Sequence, residues 1–186
     1  MIYGPEKIAQ VITQTQHWVR ELVIGCNFCP FASREVKRDS IRYQVSGATT
    51  LKAANDELLA ECRLLDKDPA IATTLLIFPD GFPVFRDYLD LVAVTEKMIR
   101  QQKYTGIYQI AGFHPLYQFA GSSLQDAANY TNRSIYPMLH LLREEEIEKA
   151  LQHYPHPEKI PERNVNFARE KGMAYMKMLR DSCLAT

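Results

Sequence analysis

Apolar side chains recur at helical spacing near the start of the chain. The pattern runs over residues 5–24, with Pro5 at its beginning and Gly25 directly after its end. Proline suits the first turn of a helix, and glycine suits the position after its last turn. The pattern therefore predicts an N-terminal helix within residues 1–25.

The middle of the chain alternates between strand and helix patterns. The segments are, in order, a strand with one wet face over 41–46, a helix over 50–65, a fully buried strand over Thr73–Phe78, a helix from Pro83 to about Gln102, and a strand over Ile107–Phe113. Alternation of this kind is typical of βα units with right-handed crossovers. It predicts a β-α-β-α-β core over residues 41–113.

Helical spacing returns in the last third of the chain. It begins near Tyr136-Pro137 and again at Pro161, from where it continues to about Ser182. Between these segments, His153–Pro157 carries two prolines and predicts a rigid linker. The C-terminal part, residues 134–182, is therefore predicted to be helical. The whole chain is predicted to be a single α/β domain with a small sheet of three or four strands and flanking helices.

Length and charge restrict the class of protein. A chain of 186 residues suits one domain, and its 22 basic and 22 acidic residues give a formal net charge of +0. Nucleic-acid binding is not predicted, because it usually needs a basic surplus. No apolar run approaches the ~20 residues that span a bilayer, and the start lacks the pattern of a signal peptide. The sequence predicts a cytoplasmic protein without a membrane partner, whose four cysteines stay reduced.

Polar and aromatic residues are interspersed between Gly112 and Arg143 in a way that suits a ligand pocket. His114 follows the third predicted strand, and Phe78-Pro79-Asp80 follows the second. Ligands of open α/β sheets bind beyond the carboxyl ends of strands. If the two strands are parallel neighbours, these segments are expected to lie close together.

A second group of candidate residues surrounds the helix predicted from Tyr136. Arg133 offers a guanidinium fork for an anion, and the helix N-terminus would add free N–H groups. Asn129 and Asn132 are suited either to capping that helix or to orienting a ligand. His140 and Arg143 would lie on the helix, where both could face the ligand.

Cys26 and Cys29 form a single Cys-x-x-Cys pair. Such a pair can pack in the core, provide a reactive thiol or bind a soft metal, and all three interpretations stay open. A zinc site would need two further ligands. The common motifs for nucleotides, serine hydrolases and zinc proteases do not occur.

Several blocks of the sequence resemble a bacterial family known as domain of unknown function 1415, over nearly the whole length of the chain. The blocks are Cys29-Pro30-Phe31-Ala32, Leu75–Pro79, Gln109–Pro115, Asn129–Ser134 and Leu139–Glu144. The family pattern around the cysteine resembles Leu-Asn-Leu-Cys-Pro-Phe-Ala, which Cys29 matches and Cys26 does not. The resemblance implies a single-domain protein and supplies no activity.

The first hypothesis is an enzyme that acts on a small anionic metabolite through a cysteine and histidine site. Cys29 would be the nucleophile, His114 the base that activates it, and His140 a second acid or base. The residues expected to bind the substrate are Asn129, Asn132, Arg133 and Arg143.

Two alternatives from other classes stay open. One is a metal-binding protein that uses Cys29, His114 and His140, with Cys26 or Asp126 as a fourth ligand. The other is a non-catalytic protein that binds a partner through its many tyrosines and phenylalanines. The sequence does not decide whether the protein is an enzyme, and it specifies neither a cofactor nor an oligomeric state.

Overall fold

The computed structural model describes residues 3–185, which contain seven α-helices and a sheet of four strands. The helices are α1 (Pro5–Trp18), α2 (Ala32–Lys37), α3 (Leu51–Lys67), α4 (Phe85–Gln101), α5 (Glu144–Gln152), α6 (Ile160–Lys171) and α7 (Met173–Ser182). The strands are β1 (Ile41–Val45), β2 (Thr73–Ile77), β3 (Tyr108–Phe113) and β4 (Met138–Arg143). The predicted α/β class, with one small sheet and a helical C-terminal part, is confirmed.

The sheet has the strand order β1-β2-β4-β3. β1 and β2 are parallel and joined through α3, whereas β4 runs antiparallel to both of its neighbours. β3 therefore points the same way as β2 without being paired with it. The expectation that these two strands are neighbours is wrong, because β4 inserts between them.

The helix predicted from Tyr136-Pro137 is also wrong, because Met138–Arg143 forms the central strand β4. Met138, Leu139 and Leu141 are fully buried, and they face both sides of the sheet. A short apolar run of this kind cannot be assigned to a helix or a strand from its spacing alone. The helix begins only at Glu144, so the part predicted as helical over residues 134–182 contains a strand.

The helix predicted from Pro161 to Ser182 is divided in two at Gly172. This glycine has a φ of 80°, which lies outside the helical region and suits glycine best. α6 ends before it and α7 begins after it. The N-terminal segment also departs from a regular helix, because α1 continues into a π-helical turn over Val19–Ile24.

Helices cover the sheet on both faces. α3 and α4 pack on one face through a core that includes Leu58, Leu91 and Leu139. α1, the π-helical turn, α6 and α7 enclose a second core, which contains Trp18 and Met138. Within residues 3–185 no helix has both the length and the apolar character that a membrane span requires.

Candidate functional site

A pocket of about 400 Å³ opens at the carboxyl ends of the parallel strands β1 and β2. We call it the carboxyl-end pocket; its lining residues are Thr49, Thr50, Leu51, Asp80, Phe82, Pro83, Asp87 and Asp90. They come from the loop after β1, the start of α3, the loop after β2 and the start of α4. This is the place where open α/β sheets bind their ligands.

Close packing of the two strand-end loops shapes the pocket. A Cβ atom on Gly81 would lie 2.4 Å from the carbonyl oxygen of Ala48, so a larger residue at position 81 would force the loops apart. Behind this contact, the rings of Phe78 and Phe82 pack edge to face at 5.3 Å. Glycine after Pro79-Asp80 is thus required by the approach of the neighbouring loop.

The N-terminus of α3 forms one wall of the pocket. Thr50 is its N-cap, and its hydroxyl accepts a hydrogen bond from the N–H of Ala53 at 3.3 Å. The first N–H groups of a helix, here those of Leu51 and Lys52, have no acceptor within the helix. They are polar groups to which a ligand in the pocket could bind.

Carboxylates dominate the charge of the pocket. Asp80, Asp87 and Asp90 are all exposed, and none of the eight lining residues is basic. Asp87 and Asp90 lie three residues apart on α4, which places them on one side of that helix. Burial and a hydrogen bond to Asp80 raise the pKa of Tyr3 to about 12. In the described part of the chain, no three side chains of His, Cys, Asp or Glu converge as metal ligands would.

Phe82 lies at the floor of the pocket in an unusual backbone conformation. Its φ is 56°, a left-handed value that costs free energy for a bulky residue. Its side chain is 6% exposed, and its carbonyl accepts a hydrogen bond at 2.9 Å from Nε2 of His114. The histidine predicted at the end of the third strand thus contacts the loop after the second strand, although β4 separates the two strands.

The hydrogen bonds of His114 define its protonation. Its Nδ1 accepts from the N–H of Leu116 at 3.0 Å, while Nε2 donates to Phe82, so the ring is neutral with its proton on Nε2. The ring is completely buried against Tyr88 and Phe85, at 4.9 and 5.2 Å between centroids. Burial lowers the pKa of His114. Both nitrogens are therefore occupied within the protein.

Asn129, Asn132 and Arg133 hold together the long loop, residues 114–137. Asn129 is completely buried; its Oδ1 accepts from Phe119 and Ser122, and its Nδ2 donates to Ser123. Asn132 donates to the carbonyl of Gly112 and accepts, through its own carbonyl, from the N–H of His114. The helix expected after these residues is absent, since β4 follows, so an anion site at its N-terminus does not form.

The guanidinium of Arg133 donates hydrogen bonds within the same loop. It donates to the carbonyls of Tyr117 and Leu124, at 2.9 and 3.1 Å, and lies over the ring of Tyr130. Arg133 is 7% exposed. These contacts fold the long loop back on itself.

Arg143 lies at the end of β4 and holds the segment after α3. It donates to the carbonyls of Leu65, Asp68 and Ile71 at 2.6, 3.0 and 3.1 Å. Arginine suits this position because its fork can reach several acceptors at once. The contacts are far in sequence from the long loop, and Arg133 and Arg143 share no hydrogen-bond partner.

His140 lies in the middle of β4, between Leu75 and Ala111 of the neighbouring strands. The hydroxyl of Thr73 donates to the carbonyl of Leu141, so its oxygen accepts from Nε2 of His140 at 2.7 Å. Burial lowers the pKa of His140 to about 4, although a small part of the residue reaches solvent. On a strand, His140 and Arg143 point to opposite faces of the sheet, so the prediction that both could face one ligand from a helix is wrong.

Cys29 lies in the turn that follows the π-helical segment. Its N–H donates to the carbonyl of Val23, and its carbonyl accepts from the N–H of Ala32. Burial raises the pKa of the Cys29 thiol, against the effect of the nearby amides of Phe31 and Ala32. None of the hydrogen-bond and ring partners of Cys29 is also a partner of His114.

The other residues considered as metal ligands have separate surroundings. Cys26 is buried in the second core, the one that contains Trp18 and Met138. Asp126 pairs with Arg169 of α6 at 2.7 Å and also caps the short 3-10 turn Ala127–Thr131. The hydrogen bond from Arg169 lowers the pKa of Asp126 to about 2.

The predicted site residues thus belong to different parts of the fold. His114, Asn129, Asn132 and Arg133 are joined by the long loop, and His114 reaches the pocket through Phe82. Cys29, His140 and Arg143 each have their own partners. The pocket residues missed from the sequence are Thr49, Thr50, Leu51, Phe82, Pro83, Asp87 and Asp90. The sequence signals that could have indicated these residues are the capping threonine before the helix of residues 50–65 and the spacing of Asp87 and Asp90 near the start of the next predicted helix.

The family model described as "Protein of unknown function (DUF1415)" matches residues 10–178, and the chain therefore belongs to this family. No curated protein and no solved structure shows a significant match to the chain.

Proposed function

We propose that this member of the DUF1415 family binds a small organic cation, with one or more amino groups, in the carboxyl-end pocket. The observation that carries the proposal is a pocket of about 400 Å³ in which three aspartates and no basic side chain surround an apolar floor. Small-molecule sites typically have volumes of about 300–1,000 Å³. The pocket is therefore large enough for a metabolite.

The charge of the lining favours a cation. Asp80, Asp87 and Asp90 stand around the opening, and their carboxylates repel an anionic ligand. An anionic metabolite held by Arg133 and Arg143, as the sequence predicts, has less support. Both guanidinium groups donate to backbone carbonyls instead.

The separation of the carboxylates favours an extended ligand over a bare metal ion. No three such side chains converge as metal ligands among residues 3–185. A ligand whose amino groups are spaced along a carbon chain could meet the carboxylates one by one. Leu51, Phe82 and Pro83 would contact its methylene groups, and Thr49 would offer a hydroxyl.

Binding has more support than catalysis. The lining contains no cysteine and no histidine, and both nitrogens of His114 already have partners. The hypothesis of a Cys29 nucleophile activated by His114 stays a prediction. Support for it would be a contact between the two side chains, whose hydrogen-bond and ring partners are different residues.

The test is a titration of the protein with spermidine, a linear triamine, followed by amide NMR at low salt. We expect shifts at Thr50, Leu51 and Asp87, and no comparable shifts with citrate as an anionic probe. The double variant Asp87→Asn/Asp90→Asn should weaken spermidine binding about three- to tenfold, since exposed ion pairs contribute up to about 1 kcal/mol each.

The matched control is Glu96→Gln, which removes an exposed carboxylate from the same helix outside the pocket. It should leave the affinity for spermidine unchanged. Shifts spread evenly over the acidic surface, or equal affinity in the double variant and the wild type, would refute the proposal. Preferential binding of citrate would do so as well.

A further inference from the structure

We infer that His114 is a positioning residue, which holds the floor of the carboxyl-end pocket in place only while its ring is neutral. That the floor serves a ligand rests on the proposed function. That His114 holds the floor does not, because it follows from the contacts of His114 and Phe82 alone.

Phe82 has a strained backbone conformation. With a φ of 56°, this residue occupies a backbone region that bulky side chains avoid, so the surrounding contacts must compensate for the strain. Its ring packs on Phe78, and its carbonyl receives the proton of His114 Nε2. The hydrogen bond is a direct restraint on the strained peptide unit.

His114 is itself held by hydrogen bonds and ring contacts from several sides. Its N–H donates to the carbonyl of Asn132, its carbonyl accepts from Tyr117, and its Nδ1 accepts from Leu116. Tyr88 and Phe85 of α4 enclose the ring. The long loop thus positions the histidine, and the histidine positions Phe82.

Protonation changes the hydrogen bonds that the ring can make. A protonated ring carries N–H on both nitrogens, so Nδ1 would face the N–H of Leu116 donor to donor. Tyr88 from α4 packs against the ring, and Tyr117 from the long loop donates its N–H to the carbonyl of His114; burial raises the pKa of both tyrosine side chains, and they stay neutral.

Two charged groups that hold the long loop beside His114 are cations. Arg133 and Arg180 donate to the carbonyls of Tyr117 and Pro115, and a cation cannot pair with a protonated ring. Burial lowers the pKa of His114. Protonation would strengthen the donation of Nε2 to Phe82, but it costs the Leu116 hydrogen bond and places a charge in apolar surroundings, and burial has the larger effect on the pKa of His114. The charged ring therefore leaves its buried position, and Phe82 loses its hydrogen bond.

The test needs no ligand. Amide hydrogen exchange of Asp80, Gly81, Phe82 and Val84 is measured in the wild type and in His114→Phe, which keeps an aromatic ring and removes both ring hydrogen bonds. We expect exchange in this segment to become about tenfold faster in the variant, the factor that one lost hydrogen bond confers on local opening. Exchange within α3, beyond its first turn, serves as the internal reference.

The pH dependence distinguishes positioning from a general structural role. After correction for the intrinsic exchange rate, opening of residues 79–84 in the wild type should increase as the pH falls below the usual histidine pKa of about 6.5. It should stay fast and independent of pH in His114→Phe. The exposed His153→Asn serves as the control and should behave like the wild type.

A measurement on the wild type keeps the inference testable if the variant does not fold. The ¹⁵N shifts of His114 should show a proton on Nε2 and a bare Nδ1 at pH 7.5. A proton on Nδ1, or exchange in residues 79–84 that does not follow the titration of His114, would overturn the inference. Spermidine binding is a separate readout, so its absence would reject the proposed function and leave this result intact.

Discussion

Gly81 lies against the carbonyl of Ala48 at a distance that leaves no room for a side chain. This single contact sets the spacing between the loops after β1 and β2, and with it the width of the carboxyl-end pocket. A Cβ atom at position 81 would come within 2.4 Å of the Ala48 oxygen and 3.3 Å of the Phe78 Cβ. Backbone atoms cannot rotate away as the end of a long side chain could.

Gly81→Ala should therefore destabilise the fold by about 1–3 kcal/mol, the usual range for overpacking in a tightly packed region. The measurement is the free energy of unfolding from urea denaturation. Gly4→Ala is the matched control, because a Cβ there meets nothing within 4 Å, and its effect should stay below about 1 kcal/mol. Equal losses in the two variants would contradict the steric interpretation.

Arg143→Lys should destabilise the protein by about 1–3 kcal/mol, because lysine cannot reach the three carbonyls of Leu65, Asp68 and Ile71 together. The readout is again urea denaturation. Arg100→Lys, at an exposed position of α4, should change stability by less than about 0.5 kcal/mol. A role for Arg143 in holding an anion predicts instead that stability is kept and that added phosphate stabilises only the wild type.

Stability should fall as the pH is lowered from about 6.5 towards 4. The pKa values of His114 and His140 lie below the usual 6.5 in the folded chain, that of His140 at about 4. In this window the unfolded chain binds protons that the folded chain does not. Each histidine then contributes a slope of up to about 1.4 kcal/mol per pH unit. The measurement is urea denaturation across this pH range.

Asp126 acts in a different window, which allows the two effects to be separated. Its pKa is lowered to about 2, so its stabilisation is present above about pH 3.8 and is lost as the pH falls towards 2. His140→Asn should flatten the pH dependence between 6.5 and 4 and leave the loss below pH 3.8 unchanged. Unchanged slopes between pH 6.5 and 4 would show that His140 is not buried as a neutral group.

Cys29 should be the first of the four cysteines to be alkylated by iodoacetamide in the folded protein. It is partly exposed, while Cys26, Cys62 and Cys183 are buried. Burial raises its pKa, so the rate should be low at pH 7 and should keep rising above pH 9. Mass spectrometry of peptides locates the label, and Cys29→Ser is the control. Fast labelling at pH 7 would instead indicate an activated thiolate and would favour the sequence-based enzyme hypothesis.

The periodicity of apolar residues in the sequence is sufficient to predict the order of elements from β1 to β3. The alternation at Ile41–Val45 and the buried run at Thr73–Ile77 are strong local patterns. Gly25 is also a local signal, because it marks the end of a helical segment. Gly172 ends a helix too, although the spacing around it predicts a continuous one. The sequence does not predict that Met138–Arg143 forms the strand β4. Its residues are buried because two other strands enclose them, and that enclosure is a property of the assembled sheet.

The candidate site shows the same division. Residue type indicates which side chains could carry chemistry. His114 contacts the loop that follows β2, but it does so across β4 and not through neighbouring parallel strands as the sequence suggests. The sequence does not predict the groups to which Arg133, Arg143 and Asn129 donate hydrogen bonds, because these acceptors are backbone carbonyls that folding brings near. Residue type and spacing are local quantities, whereas a partner between 6 and 78 positions away is chosen by packing. The chain thus specified its helices, most of its strands and its pool of polar groups, and the packing of loops around Gly81 and Phe82 determined which of them surround a pocket.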